Sequence, residues 1–185
     1  VKNEELGEFI SIDGMSNDDA IIYLMRRYGE EIKRLVYTFV KNWQQAEDIT
    51  QDVFVTLYTK LDTFRGDSAI RSWIYSIAIN RSKDFLKSWS YRKLAFTDKF
   101  SNDQKDTAYS AEDGFINMSE DKLLYEAVLS LQIKYREVIL LHYYKEFSIR
   151  EICDLLSMNE STVKTRLSRA RKLLQQKYVE LGGER

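Results

Sequence analysis

Residues 147–176, FSIREICDLLSMNESTVKTRLSRARKLLQQ, restrict the possible fold more than any other stretch of this chain. Ser148 followed three residues later by Glu151 forms the S-x-x-E capping box that begins a helix. Ile149, Ile152, Cys153 and Leu156 then fall at i, i+3, i+4 and i+7, one face of a 3.6-residue repeat. Ser157-Met158-Asn159 breaks the pattern, and Asn159 is a good N-cap for a second helix. In that helix the spacing predicts Val163, Leu167, Ala170 and Leu174 inward, with Ser161, Lys164, Thr165, Ser168, Arg169 and Lys172 outward. A short helix, a tight turn and a longer basic helix make a helix-turn-helix, whose second helix enters the major groove of duplex DNA.

Charge supports that reading. Between residues 160 and 178 six basic residues stand against Glu160 alone, in a chain of formal net charge −1. Charge runs are usually only a solvated face. Here a capped partner helix and a short turn accompany the run, which favours a DNA reader. The 185 residues contain no proline and 7 glycines, a composition suited to long helices and unsuited to a turn-rich β architecture. A hydrophobic fraction of 44% is enough for real cores and excludes a disordered chain. One cysteine excludes an internal disulfide framework and fits the reducing cytoplasm. The apolar runs are far shorter than a bilayer span and the acidic start lacks a signal peptide's basic region, so no direct membrane insertion is expected.

Residues 1–15 show no period and read as a flexible lead-in. A helix is expected from Ser16, with Ile21, Ile22, Leu24, Met25 and Tyr28 on its apolar side and Gly29 as its stop. A second follows with Ile32, Leu35, Val36, Phe39 and Val40. A third, over about 44–61, buries Ala46, Ile49, Val53, Leu57 and Leu61. Its other side presents Glu47, Asp48, Gln51 and Asp52 as two i,i+4 pairs in one polar stripe. Beyond a loop around Gly66, a long helix from Ile70 to about Trp89 turns Ile70, Trp73, Ile74, Ile77, Ala78 and Phe85 inward. Ser72, Ser76, Asn80, Lys83 and Lys87 face out. Residues 71–93 hold six basic residues against Asp84, interleaved with Tyr75, Trp89 and Tyr91. Such a mixture suits single-stranded nucleic acid, because bases stack on rings while phosphates meet cations. With Trp73 and Phe85 assigned to the core, a plain solvated face is an equal reading of this helix. Residues 97–121 carry seven acidic residues against Lys99 and Lys105 and are aperiodic, so they read as a linker. Helices from about 119, burying Leu124, Ala127, Val128 and Leu131, and over about 134–145 complete a second, four-helix domain.

Together these stretches resemble the extracytoplasmic-function (ECF) sigma factors, the smallest sigma-70-type subunits of bacterial transcription initiation. AEDITQDVF at 46–54 resembles the family's AED-x-x-Q-[ED]-x-F signature, and FRGDSAIRSWIYSIAINRSKDFL at 64–86 its F-to-D block around S-W-I-Y and I-A-x-N. YREV at 135–138, S-x-x-E-I at 148–152 and TVKTRLSRAR at 162–171 match in the second half, the whole likeness covering roughly residues 20–180. The family often has Leu-Pro where this chain has Leu131-Gln132, a Gly where it has Glu146-Phe147, and Ala where it has Cys153.

The resemblance implies an all-α chain of two small helical domains joined by an acidic flexible linker, the second a four-helix domain ending in the helix-turn-helix. The expected divisions are 1–15, a region 2-like domain over 16–93, a linker over 94–118 that passes through the polymerase, and a region 4-like domain over 119–181. Glu47, Asp48, Gln51 and Asp52 would bind the RNA polymerase core. Phe64, Arg65, Trp73, Tyr75, Asn80, Arg81 and Lys83 would engage the melted −10 element. Ser161, Lys164, Thr165, Ser168, Arg169 and Lys172 would read the −35 element as duplex. The resemblance further implies a monomer when free, an anti-sigma partner, and a stress or cell-envelope regulon.

Two rival classes compete with this expectation. A dimeric helix-turn-helix regulator would end in a similar motif but needs palindromic half-sites and a dimerising segment. An enzyme has little to build on. His142, the sole histidine, reads as a satisfied core or edge residue, and Cys153 lies on an apolar helix face. The acids at 47, 48 and 52 have no nearby histidine and read as a solvated or protein-binding face ahead of a metal site. No cofactor is expected.

Overall fold

The computed structural model describes residues 14–64, 69–95 and 119–183, all of whose regular elements are helical. The chain divides into two compact units, 1–106 and 107–185.

The first unit packs three helices, α1 (Asn17–Val40), α2 (Trp43–Lys60) and α3 (Ile70–Ala95), each against the other two. Ser16 caps α1 by accepting from the Asp19 amide at 3.2 Å. Lys41 then turns the chain in a left-handed conformation at φ 55°. Asn42 caps α2 through the Gln45 amide at 2.9 Å, and Tyr37 stacks on Trp43 across this corner at 4.1 Å.

Gly29 does not stop the first helix. Ala20, Leu24, Tyr28, Ile32 and Val36 form one unbroken i,i+4 buried stripe through it, and α1 continues to Val40. A mid-helix glycine costs about 1 kcal/mol. Each fully buried large apolar side chain contributes about 1.5–3 kcal/mol, so the stripe outweighs it. Ile22 and Met25, expected on the apolar side, are about half exposed. Opposite α1 lie Ala46, Ile49, Val53 and Leu57 of α2 and Ile70, Ile74, Ala78 and Ile79 of α3.

In the second unit α4 (Ser119–Ser130), α5 (Ile133–Ile139) and α6 (Ile149–Leu156) all pack on α7 (Glu160–Glu180). The core joins Ala127, Val128, Val138, Ile139, Leu141, Phe147 and Ile152 to Val163, Leu167 and Ala170 of α7. Buried Arg136 closes the end of α4. Its guanidinium donates to the carbonyls of Val128 at 3.3 Å, Leu131 at 2.6 Å and Leu129. Carbonyls at and just past a helix end are short of donors, and a cation there also complements the helix dipole. Burial draws the pKa of Arg136 down to about 10, so it stays charged at neutral pH. After α5 the chain widens into a π turn, Leu140–Tyr144, and reverses at Glu146, which adopts φ 57°. A left-handed position favours glycine, so here the loop makes its turn with a side chain present.

Candidate nucleic-acid interface

The helix-turn-helix is built as its sequence specifies. Ser148 Oγ accepts from the Glu151 amide at 3.3 Å while Glu151 accepts from the Ser148 amide at 2.7 Å, the reciprocal capping box. α6 buries Ile152, Leu155 and Leu156. Ser157 turns left-handed at φ 52°, and Met158 N–H closes the turn on Cys153 O at 2.9 Å. Asn159 Oδ1 then accepts from the Thr162 amide at 2.8 Å and from Ser161 Oγ at 2.9 Å, starting α7.

α7 has two unlike sides. Val163, Leu167 and Ala170 are buried, and Leu174 is half-buried. Ser161, Lys164, Thr165, Ser168, Arg169 and Lys172 are all exposed, so one helix brings the six together on its outer side. Their cations are not equivalent. Lys164 pairs with Glu160 at 2.5 Å, and that contact holds the Glu160 carboxyl below its ordinary range. Arg166, a basic residue outside the six, donates to Glu137 at 3.0 Å, and the Glu137 side chain is only 2% exposed. Arg166 therefore ties α7 to α5. No local signal marks this pair, whose members lie 29 residues apart.

In the first unit Glu47, Asp48, Gln51 and Asp52 are exposed along α2. The stripe extends further than sequence reasoning took it. Val55, 62% exposed, and Tyr58, 45% exposed, continue it by a turn. Continuing the i,i+4 series from Gln51 reaches Val55. Tyr58 donates its hydroxyl to Asp18 of α1 at 2.9 Å, which raises the phenol's pKa.

The residues expected at melted DNA separate into three groups. Phe64 and Trp73 stack on each other, ring centroids 4.9 Å apart and planes inclined by 27°, where the loop enters α3. Trp73 is thus half-buried at the edge, not core. Asn80 and Arg81 are exposed and Lys83 is half-buried, although Arg81 also donates to Thr56 of α2 at 2.9 Å. Tyr75, expected to be a surface stacking ring, is completely buried. The inward face of α3 is Ile70, Ile74, Tyr75, Ala78, Ile79 and Ser82, rotated by about one residue from the expected one. The rotation gives the Tyr75 hydroxyl the Glu31 carboxylate of α1 as acceptor, with Arg71 5.5 Å from its ring centroid. Burial first and the neighbouring carboxylate second push the phenol far above its ordinary pKa. Arg65 and the side chains of Trp89 and Tyr91 lie outside the described residues.

His142 Nδ1 lies 3.0 Å from Phe147 O, a satisfied edge position, and Cys153 is half-buried. Among the described residues no cluster of His, Cys, Asp or Glu has the makings of a metal site, and no helix is long and apolar enough to cross a membrane.

Comparison with known proteins agrees with this arrangement. The family description sigma-70 region 2 matches residues 24–90, and sigma-70, region 4, matches residues 121–174. RNA polymerase sigma factor YlaC of Bacillus subtilis is 32% identical over 161 residues, covering 85% of this chain and 91% of its own. The ECF RNA polymerase sigma factor SigW of the same organism is 29% identical, covering 89% and 92%. The ECF sigma-E factor of Escherichia coli K12 is 26% identical, covering 97% and 98%. In fold, the chain is similar to RpoE from Bartonella quintana, solved with the anti-sigma factor NepR, at a TM-score of 0.70 and 20% identity over 85% of this chain and 95% of that one. It is also similar to CnrH, solved with the cytosolic domain of CnrY, at 0.63 and 22% over 93% and 94%. These relatives do not favour a dimeric regulator.

Proposed function

The chain belongs to the ECF sigma factors of the sigma-70 family, subunits that bind RNA polymerase core and direct transcription, and from that premise we propose how its two units divide the work. α7 reads the −35 element as duplex, through Lys164, Thr165, Ser168 and Arg169 toward base edges and Ser161 and Lys172 toward the backbone. One observation carries this reading: the apolar side of α7 is covered by its own unit while all six polar positions stand exposed. A helix so mounted can enter a groove without unfolding anything.

The α2 stripe is the docking face for the polymerase core. Clustered acids on a free helix repel one another by a few tenths of a kcal/mol. Opposite a basic partner they speed and orient docking. The entrance to α3, with Phe64, Arg65 and Trp73, and the outward Asn80, Arg81 and Lys83 engage the −10 element, where a neutral amide discriminates base edges and a cation meets phosphate. The domain limits follow this division, 16–93 and 119–181 around a linker over 94–118. RpoE was solved with the anti-sigma factor NepR and CnrH with the cytosolic domain of CnrY, and a partner of the anti-sigma class is proposed here too.

The test is capture by polymerase core beside run-off transcription, using the double substitution Asp48→Arg with Asp52→Arg. The expected outcome is a folded chain by circular dichroism that core no longer captures and that yields no transcript. Normal capture and transcripts would move the docking face elsewhere.

A further inference from the structure

We propose that Lys134 and Tyr135 of α5 complete, with the outer side of α7, a cleft that grips one backbone phosphodiester of the duplex beside the bases that α7 reads. This assignment rests on the −35 reading of α7 given above. The cleft, about 280 Å³, is lined by Lys134 and Tyr135 from one helix and by Ser161, Thr162, Thr165, Arg166 and Arg169 from the other. No carboxylate lines it.

Its cations differ in availability. Arg166 is held by buried Glu137 at 3.0 Å, so its charge is offset and its role at the cleft is structural. Among the described residues neither Lys134 nor Arg169 has a carboxylate partner. Lys134 is exposed with its ammonium 5.0 Å from the centroid of the Tyr135 ring, a cation–π contact that keeps it at the rim without neutralising it. The Tyr135 phenol and the Thr162 and Thr165 hydroxyls supply neutral donors beside these charges. Two unneutralised cations, hydroxyl donors and no acid make a site for a singly charged phosphodiester. Its place along the reading helix favours the DNA backbone over a small free anion. Contacts of this kind fix the register of a reading helix while carrying no sequence information themselves.

Arg169 then has two neighbours of different kinds, the base edges and the phosphate gripped by Lys134. Lys134 alone is the clean probe, because it reaches only the backbone. The experiment uses the full chain and a duplex that the wild-type protein selects from a randomised pool, with affinity followed between about 50 and 200 mM salt. Lys134→Ala is expected to weaken binding to every duplex and to lower the salt slope by about 0.9, so that about threefold less affinity is lost across that range. The selected base preference and the thermal midpoint should stay unchanged, and Lys134→Arg should restore the slope. If Lys134→Ala keeps the wild-type slope while Arg169→Ala alters the selected bases, the cleft holds no phosphate and the −35 reading stands. If neither substitution alters slope or preference, the −35 reading itself fails and the cleft with it.

Discussion

α7 and α3 are the two basic helices of this molecule, each in its own compact unit, and they carry a similar excess of charge on faces of different breadth. α7 buries a narrow stripe, Val163, Leu167 and Ala170, and leaves Arg169 and Lys172 standing in solvent. α3 buries a broader face, from Ile70 to Ser82, and directs part of its charge inward: Arg71 lies 3.8 Å from Glu31, and Arg81 donates to Thr56. Net charge by itself therefore says little about an interface. What matters is how many cations the fold leaves without an internal partner. A helix that inserts into a groove needs an unencumbered outer side. A helix packed against two neighbours must first hold them, so the contact proposed between α3 and DNA is left to outward positions such as exposed Asn80.

Substitutions can break this contrast. The largest effect is expected at Tyr75. Tyr75→Ala removes a fully buried ring and its hydroxyl's bond to Glu31 at the α1–α3 interface, costing about 3–5 kcal/mol of stability in urea unfolding. A surface ring at that position would cost under about 0.5 kcal/mol. On α7, Arg166→Ala leaves Glu137 buried without its cation and is expected to cost about 2–3 kcal/mol, somewhat less than for a fully enclosed pair because Arg166 is 27% exposed. Lys172→Ala, one further turn and a half along, should leave the unfolding midpoint within about 0.5 kcal/mol of wild type. Equal losses at both positions would erase the distinction between tether and exposed cation. The smallest effect sharpens the account of α1. A methyl group at Gly29 meets nothing within 4 Å, so Gly29→Ala should stabilise the chain by about 0.5–1 kcal/mol in the same assay. Destabilisation there would mean that the helix needs a break at that residue.

The two helices also mark how far residues alone could be read. Most of what is local is legible in the helix-turn-helix. The capping box and the Asn159 cap are short-range signals that appear as hydrogen bonds; of the apolar positions Ile152, Leu156, Val163, Leu167 and Ala170 are buried, while Ile149, Cys153 and Leu174 are half-buried. The α2 stripe was legible for the same reason up to Asp52. What stayed hidden depends on partners far along the chain. Tyr75 is amphipathic, and its burial was decided by Glu31, 44 residues earlier. Arg166 counts in the sequence only as one basic residue of the run, because its partner belongs to α5. Gly29 was read as a stop because local propensity is visible in sequence, while the stripe that overrides it draws its stability from α2 and α3.

The central claim, that the exposed side of α7 reads duplex sequence, is tested most directly by run-off transcription from a promoter library randomised in its −35 and −10 elements, with wild-type chain and Arg169→Ala on the same polymerase core. Arg169→Ala should lose about 1–3 kcal/mol of discrimination at one or two −35 positions and leave the −10 preference unchanged. An unchanged −35 preference, with output falling equally for all promoters, would contradict the claim and reduce this helix to a general backbone contact.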